Sequence, residues 1–268
     1  MGFEDKIKYK LNLVREYLFQ KDTKKLKEDI KRVLKEYQDT IPVFIVSYNN
    51  AIYVKNMVEQ LNSYDIKPIV IDNNSQDIDS IKILKELDKQ KKASIVYSDK
   101  NFGYLVGFLN PIYEVLPRYF AYSDPDLELN KNLPKNFLEI LRSVTDEFKV
   151  YKAGFALKLL DEEMIDITMT KYQGVPKIKE IKLTVKEWES KYWRMRLSHP
   201  TLELYQANID TTFALYDKEN LLDNFYDGIR VAGDFSCIHL PWYPKRDLLT
   251  SEQKKSYLKA NSSSTWVK

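Results

Sequence analysis

The sequence contains few of the residues that mark several common classes of protein. Its single cysteine, Cys237, excludes an internal disulfide and a cysteine-rich zinc site. Seven glycines and ten prolines among 268 residues are too few for a low-complexity or disordered chain. The 42 basic and 39 acidic side chains leave a net charge of only +3, whereas nucleic-acid-binding proteins usually carry a concentrated basic excess. The composition therefore indicates a globular protein that does not bind nucleic acid.

Long apolar runs are also missing. No stretch approaches the roughly 18 consecutive apolar residues of a membrane span, and the charged residues 1–10 lack the apolar core of a signal peptide. Together with the single cysteine, this predicts a soluble cytoplasmic protein. The residues that are present, 44% hydrophobic and 13% aromatic, are sufficient for one large domain with appendages.

Residues 1–40 are predicted to form a helical extension. Apolar side chains recur there at helical spacing among many lysines and glutamates; they are Leu11, Val14, Leu18, Leu26, Ile30, Val33, Leu34 and Tyr37. An amphipathic appendage packed on the main domain is the simpler interpretation. Peripheral association with the inner face of a membrane, or with a partner, through the lysines is the alternative. The local sequence does not decide between them.

From residue 41 the sequence alternates between buried strands and amphipathic helices. Strands are predicted at residues 43–46, 68–71, 94–97 and 118–123 because these are short, largely apolar runs. Helices are predicted at residues 51–63, 78–87, 103–116 and 134–146, and Ser75 or Asp77 would cap the second of them. This alternation predicts an α/β fold with a mostly parallel, twisted, Rossmann-like sheet flanked by helices. Ligands bind such sheets at the carboxyl ends of the strands.

The second half of the chain is less regular. Strands are predicted at residues 150–160 and 164–170, and one long strand at residues 204–216, interrupted at residues 208–210. Thr184 begins a capping box for a short helix. Residues 244–268 are polar with little periodicity and are interpreted as a tail on the surface. The predicted organisation is an extension at 1–40, a domain at 41–243 and a tail at 244–268.

Polar side chains follow all four of the first strands. Asp124-Pro125-Asp126 comes directly after the fourth strand, and the clusters 47–50, 72–75 and 99–104 follow the other three. Any one cluster is explained by turn or cap chemistry, but four in succession favour a binding site at one edge of the sheet. A second acidic triplet, Asp77-Ile78-Asp79, precedes a helix and is interpreted as a cap.

In this order and spacing, residues 43–50, 69–75, 101–103 and 124–126 resemble the nucleotide-binding half of a GT-A glycosyltransferase, most closely one of family two. The resemblance is specific over residues 41–130 and looser from there to residue 243. It implies a nucleotide-binding half at 41–130 and an acceptor half at 131–243. The N-terminal helices lie outside it.

The resemblance implies a UDP-sugar donor and a role for each matching position. Asp72 would accept a hydrogen bond from the uracil imide, because an ionised carboxylate only accepts. Gly103 would allow the backbone to approach the ribose and diphosphate closely. The residues implied for the nucleotide are Ser47, Tyr48, Asn49, Asp72, Asn101, Gly103, Tyr104, Ser123 and Asp124.

The resemblance also implies a divalent metal. Asp124 and Asp126 would hold Mn²⁺ or Mg²⁺, hard cations that prefer oxygen ligands and phosphates. His239, in the segment His-Leu-Pro-Trp-Tyr, is similar to a late histidine that some GT-A enzymes supply as a third ligand. The alternative for His239 is a structural histidine that is hydrogen-bonded to the backbone.

The general base has two candidates of equal standing. Family two usually places it in a Glu-Asp pair, and the nearest counterpart here is Asp234 in Ala-Gly-Asp-Phe. Asp210 interrupts an apolar strand, where an unpaired charge is costly. The missing pair leaves both the base and the inverting outcome open. Trp242 and Tyr243 are the predicted acceptor-binding residues, since sugar rings stack on aromatic faces.

The resemblance therefore implies a metal-dependent glycosyltransferase of bacterial surface polysaccharide assembly, for which inversion is the expected outcome although the residues present do not fix it. The enzyme would move a sugar from a UDP-sugar to a hydroxyl of a saccharide or lipid-linked saccharide. One alternative is a sugar nucleotidyltransferase, although the segment Ser-Tyr-Asn-Asn after the first strand lacks the glycines of a phosphate loop. The other alternative is a non-catalytic GT-A-like scaffold that keeps the fold without the chemistry.

Overall fold

The computed structural model describes residues 19, 21–169, 181–220 and 224–260. The strands are β1 (Val43–Ser47), β2 (Ile69–Asp72), β3 (Ser94–Tyr97), β4 (Tyr119–Ser123), β5 (Leu127–Glu128), β6 (Lys152–Phe155), β7 (Asp166–Met169), β8 (Ile181–Thr184), β9 (Arg196–Leu197), β10 (Leu204–Gln206), β11 (Ala214–Asp217), β12 (Ile229–Val231) and β13 (Ile238–His239). The α-helices are α1 (21–33), α2 (Ala51–Asn62), α3 (Ile78–Lys89), α4 (Asn110–Tyr113), α5 (Phe137–Phe148), α6 (Val185–Ser190) and α7 (Ser251–Ala260). Short 3₁₀ turns occur at Leu34–Tyr37, Val106–Phe108, Lys191–Trp193, Lys218–Asn220, Gly233–Phe235 and Leu240–Trp242.

A nine-stranded sheet organises the described residues, in the order β3-β2-β1-β4-β11-β6-β12-β10-β9. The first four strands in this order are all parallel. β11 runs antiparallel to both of its neighbours, β12 is parallel to β6, and β10 is antiparallel to β12 and β9. Within the described part, every strand of this sheet except β10 and β11 therefore points the same way. This confirms the predicted mostly parallel α/β sheet flanked by helices.

Strand β1 lies in the interior of the sheet and is buried on both faces. Alternate side chains of a strand point to opposite faces. Val43 and Ile45 belong to a core that includes α2, α3 and α5. Phe44 and Val46 belong to a second core that includes α1 and α4. The continuous apolar run of β1 therefore reflects helices on both sides of the sheet.

Helix α1 belongs to this second core. Leu26 and Ile30 are buried and cluster with Phe44 of β1 and Ile112 of α4. The packed-appendage interpretation therefore describes residues 21–33, while most of the extension before residue 21 lies outside the described residues. None of the helices in the described ranges combines the length and apolarity that crossing a bilayer would require.

The prediction of one helix at residues 103–116 is wrong. The chain there forms only a 3₁₀ turn at Val106–Phe108 and the short helix α4. Gly103 has a left-handed backbone (φ +83°), and a side chain at Gly107 would overlap the Tyr122 ring of β4 at 2.5 Å. The segment is therefore held against the sheet in a shape that a regular helix does not provide.

Two further predictions need correction in the second half. Residues 204–216 form two strands, not one interrupted strand, because β10 and β11 are separated in the sheet by β6 and β12. The region predicted as a polar tail contains helix α7, whose Tyr257 packs edge-on against Tyr53 of α2 with ring centroids 6.3 Å apart. By contrast, the Asp77 cap of α3 and the Thr184 capping box of α6 are confirmed.

Arg118, directly before β4, forms ion pairs with three acidic residues: Asp217, Glu219 and, at 3.9 Å, Asp146. Its guanidinium donates to both carboxylate oxygens of Asp217, at 3.0 and 3.1 Å. Its third nitrogen lies 2.6 Å from Glu219. The Asp217 side chain is fully buried, whereas that of Glu219 is 64% exposed. Asp217 faces Tyr119 in the β4–β11 ladder, so this pair anchors the register that brings the end of β4 to the start of β11.

We predict that Asp217→Ala lowers the free energy of unfolding by about 2 kcal/mol, because charge-assisted hydrogen bonds to a buried carboxylate are lost. Glu219→Ala is the matched control and should have a much smaller effect, because an exposed ion pair contributes little. Urea denaturation followed by circular dichroism measures both. Equal losses for the two variants would show that the Arg118–Asp217 contact does not anchor the register.

Candidate active site

The polar clusters after β1, β2 and β4 lie at one edge of the sheet. These strands are parallel neighbours, and their pairing sets Ser47 beside Asp72 and Ile45 beside Ser123. Their carboxyl ends therefore open on the same side, as the sequence predicts. This is the edge at which open α/β sheets bind ligands.

Asp72 is a buried hydrogen-bond acceptor at the end of β2. Only 3% of it is exposed, and its two carboxylate oxygens accept hydrogen bonds from the Ser75 hydroxyl (2.5 Å) and the Ser75 amide (3.1 Å). Burial raises the pKa of the Asp72 carboxyl, and these bonds oppose that change. Each carboxylate oxygen can accept two hydrogen bonds, so Asp72 keeps acceptor capacity for a ligand.

Asn49 joins the loops that follow β1 and β2. Its backbone is left-handed (φ 53°), and its side-chain oxygen accepts from the amides of Gln76 (2.8 Å) and Asp77 (3.0 Å). The Ser47 hydroxyl donates to Asn50 at 3.2 Å and is buried. Asn49 and Ser47 therefore shape the loop, and Tyr48 between them is only half-buried.

Asn73 holds the loop at residues 101–104, a role that the sequence analysis does not assign. Its side chain donates to the Gly103 carbonyl at 2.8 Å and accepts from the Phe102 amide at 3.3 Å. The Asn101 side chain in turn accepts from the Gly103 amide at 2.8 Å. Asn73 is 1% exposed, so the predicted donor loop is anchored on a buried amide. The one signal in the sequence was the place of Asn73 within the strand-end cluster.

Asp124 and Asp126 lie just past β4 and are held by different parts of the chain. Thr211 contacts Asp124 twice: its hydroxyl donates to the Asp124 carboxylate, and its carbonyl accepts from the Asp124 amide at 2.8 Å. Asp126 lies with one carboxylate oxygen 3.4 Å from His239 Nε2. The short β5–β13 ladder sets His239 opposite Leu127, which brings the predicted late histidine to the acidic pair.

The acidic groups interact electrostatically at this edge of the sheet. Burial, the negative charge of Asp126 and that of Asp210 raise the pKa of Asp124, while the Thr211 hydroxyl and His239 oppose the rise. The pKa of the Tyr104 hydroxyl is also raised, by burial and then by the charge of Asp210. Like charges that raise one another's pKa lie close together. Contacts place Asp126 beside His239 and Asp124 beside Thr211, the residue that follows Asp210. Asp210 and Tyr104 are linked to this group by their electrostatic interactions.

A divalent cation would fit beside Asp126. Its Oδ1 is buried and has no hydrogen-bond partner among the described residues, an arrangement that is costly unless something binds it. Among those residues, no group of three or more His, Cys, Asp or Glu side chains is arranged to hold a metal. A hard cation at Asp126 and His239 would therefore need further ligands, and phosphate oxygens supply them in other proteins.

The two candidate bases differ in their positions. Asp210 interacts electrostatically with Asp124, Tyr104 and Lys152. Its side chain opens to solvent, yet the surrounding protein displaces enough water to raise the pKa of its carboxyl, which Lys152 opposes. Asp234 is exposed, in the turn Gly233–Phe235. The geometry therefore brings Asp210 to the acidic cluster.

Trp242, Tyr243 and Ser123 are among the buried residues predicted for the site, and the contacts described for them are made within the protein. Tyr243 is fully buried; its hydroxyl donates to the Lys158 carbonyl and accepts from the Leu160 amide, both at 2.9 Å. Trp242 is 5% exposed and packs against His239 with ring centroids 4.7 Å apart. Ser123 is also buried, and its hydroxyl donates to the Asp124 carbonyl at 2.7 Å. Trp242 and Tyr243 therefore expose little ring surface on which a sugar could stack.

The chain is similar to several solved structures over about half of its length. A mannosyltransferase from Pyrobaculum calidifontis, solved in complex with GDP-Man and Mn²⁺, matches 55% of the chain at 14% identity and a TM-score of 0.36. S. aureus TarS residues 1–349 match 49% at 16% identity and a TM-score of 0.33, and S. aureus TarS matches 48% at 17% and 0.32. The chain covers 48%, 41% and 24% of those chains, which is less than half of each. A comparison with curated proteins finds no match.

The family comparison is more extensive. The model described as "Glycosyl transferase family 2" matches residues 43–210, well over half of the chain. This range begins with β1, includes all four strand-end clusters and ends at Asp210. The chain therefore belongs to glycosyltransferase family 2.

Proposed function

We propose that this glycosyltransferase moves a sugar from a UDP-sugar to a hydroxyl of a saccharide or lipid-linked saccharide, with Mn²⁺ or Mg²⁺ as cofactor. The observation that carries the proposal is the burial and the incomplete hydrogen bonding of the Asp126 carboxylate. Its carboxylate is buried beside His239, and its Oδ1 lacks a partner among the described residues. Asp72 and the loop at 101–104 lie at the same edge of the sheet, where a nucleotide would bind.

The donor proposal rests on Asp72. Its remaining acceptor capacity suits a base edge that donates, such as the imide N–H of uracil. The loop anchored by Asn73 would then lie along the ribose and diphosphate, with Gly103 giving room for close approach, because no atom lies within 4 Å of where its side chain would start. Tyr48 and Tyr104 are only partly buried and would line this pocket.

The residues that would hold the metal are Asp126 and His239, with Asp124 beside them. When bound, a divalent cation acts as a Lewis acid that stabilises charge on the departing diphosphate. The chain contributes the surrounding order: Thr211 fixes the Asp124 carboxylate, and the Trp242 ring supports the His239 imidazole. Asp126 and His239 are both buried, which strengthens their interactions with a bound charge.

Asp210 would act as the general base. As the acceptor oxygen forms its bond to the anomeric carbon, the bond from that carbon to the diphosphate oxygen breaks, and Asp210 takes the hydroxyl proton. One displacement of this kind inverts the anomeric centre. The electrostatic link from Asp210 to Asp124 supports this choice over Asp234. Surface polysaccharide assembly, the cytoplasmic location and contact with a membrane face stay predictions from the sequence.

Nucleotide binding tests the donor and the cofactor together. We expect UDP with Mn²⁺ to raise the thermal unfolding midpoint, since a ligand at 100 times its Kd adds about 2.7 kcal/mol to the stability of the folded state. A differential scanning fluorimetry panel should compare UDP, GDP, CDP and ADP, each with and without Mn²⁺. A larger shift with another nucleotide would overturn the UDP proposal, and a UDP shift that ignores Mn²⁺ would overturn the metal proposal.

Replacing Asp126 tests the metal site. We expect Asp126→Asn to slow UDP release from a UDP-sugar at least about 100-fold, because losing several kcal/mol of charge stabilisation costs a factor of ten per 1.36 kcal/mol. The matched control is Asp79→Asn, in the other acidic triplet, at an exposed position in the first turn of α3. Turnover that survives in both variants would show that Asp126 holds no essential cation.

Replacing Asp72 separates nucleotide binding from metal binding. We expect Asp72→Ala to weaken UDP binding by about tenfold or more, since one charge-assisted hydrogen bond is worth about 1.5–3 kcal/mol. Mn²⁺ binding, measured by electron paramagnetic resonance at saturating UDP so that diphosphate oxygens can complete the ligand set, should be unchanged. Equal losses for UDP and for Mn²⁺ would mean that Asp72 only supports the loop through Ser75.

A further inference from the structure

Asp210 stands in an irregular segment, residues 207–213, whose backbone is held on both sides of the carboxylate. On one side the Ile209 amide donates to the Tyr226 carbonyl at 2.8 Å, and the Ile209 side chain is fully buried. On the other side Thr211 makes its two contacts with Asp124. A residue between two such anchors has little freedom to change its direction.

Two buried cationic side chains hold the carbonyls just before Asp210. The Lys152 amine donates to the Ile209 carbonyl at 2.6 Å, and Arg230 Nε donates to the Asn208 carbonyl at 2.9 Å. Lys152 is 0% exposed and Arg230 is 4% exposed. The two side chains come from the neighbouring strands β6 and β12. Two consecutive peptide carbonyls therefore accept hydrogen bonds from cationic groups inside the protein.

Arg230 is explained in part by another contact. It forms a buried ion pair with Glu189 and lies over the Tyr192 ring, 4.3 Å from its centroid. Removing Arg230 alone would leave the Glu189 carboxylate buried without its partner, which is strongly destabilising. The effect of such a variant on Asp210 would then be mixed with its effect on folding.

Lys152 has no comparable structural explanation. Within the described part of the chain, no carboxylate lies close enough to its amine to form an ion pair, and the amine faces the rings of Phe225 at 4.0 Å and Tyr216 at 5.2 Å. Burial lowers the pKa of Lys152 to about 7, which the negative charge of Asp210 opposes. A well-packed apolar side chain is often as stable as a buried charge, or more so. Stability alone therefore does not explain an amine at this position.

We propose that Lys152 is a positioning residue for Asp210. Its amine fixes the peptide that precedes Asp210, and its charge stabilises the Asp210 carboxylate. The inference rests on the proposed role of Asp210 as general base. Both protonation states of the amine carry an N–H that can donate to the Ile209 carbonyl. The hydrogen bond therefore does not depend on the charge.

The first test is structural and needs no substrate. In Lys152→Met an apolar chain of similar length replaces the amine. We expect hydrogen–deuterium exchange of amides 207–211 to become at least about tenfold faster, because the hydrogen bond from Lys152 to the Ile209 carbonyl, one of the anchors of this segment, is lost, while the thermal unfolding midpoint stays equal or rises. The matched control is Lys158→Met, at an exposed lysine shortly after β6. Exchange at 207–211 that is unchanged in Lys152→Met would overturn the proposal.

The second test is kinetic and uses the UDP-sugar that the wild-type protein hydrolyses fastest. We expect Lys152→Met to lower kcat about 10- to 100-fold, since small misplacement of a catalytic group has effects of that size, with KM for the UDP-sugar unchanged. In the Asp210→Asn background the same change should alter the residual rate less than about twofold, because residues acting through one group are not additive. Equal effects in both backgrounds would refute the inference.

The outcomes separate this inference from the proposed function. If the wild-type protein turns over no UDP-sugar, the proposed function fails, whereas the exchange result still decides whether Lys152 anchors the segment. If Asp210→Asn is fully active, the base assignment fails. If Asp210→Asn is inactive and Lys152→Met is fully active, Asp210 is the base but Lys152 does not position it.

Discussion

Repulsion among neighbouring carboxylates, one of which is raised in pKa by burial and by the charges of the others, is the constraint on which the rest of this site depends. Asp124 and Asp126 come from one part of the chain and Asp210 from another. Burial and the negative charges of Asp126 and Asp210 together raise the pKa of Asp124. Such a group is tolerated only where hydrogen bonds or positive charge offset it. Thr211, His239 and Lys152 each supply part of that compensation. The buried Asp126 oxygen without a partner among the described residues marks the part that the chain does not supply.

The topology of the sheet brings these side chains together. The parallel strands β1, β2 and β4 carry the nucleotide side, and the reversed strand β11 lies directly beside β4. That placement brings Thr211 into contact with Asp124 and allows Asp210 to interact with Asp124 electrostatically. The β5–β13 ladder delivers His239 to Asp126 in the same way. Each half of the site therefore depends on a contact between segments about 85 to 115 residues apart.

Local patterns were enough to predict the first half of the fold. The apolar runs of β1 to β4 and the Asp77 cap depend on neighbouring residues, so sequence periodicity identifies them. The same reasoning fails for residues 103–116, because tertiary contact with Tyr122 overrides their helical spacing. Sequence periodicity also fails to separate β10 from β11, because the composition of a strand does not determine its position in the sheet. Asn73 and Lys152 gain their roles only from partners far along the chain. Trp242 and Tyr243 were predicted as acceptor residues from side-chain type, and packing buries both.

The central claim is that the acidic edge of the sheet binds a divalent cation together with a nucleoside diphosphate. Anomalous diffraction from a crystal grown with Mn²⁺ and UDP tests it most directly. The account predicts one manganese peak within about 2.3 Å of an Asp126 oxygen and of diphosphate oxygens, the range that hard cations adopt with oxygen ligands. A UDP molecule bound elsewhere, or an Asp126 carboxylate turned toward the core with no manganese beside it, would contradict the account.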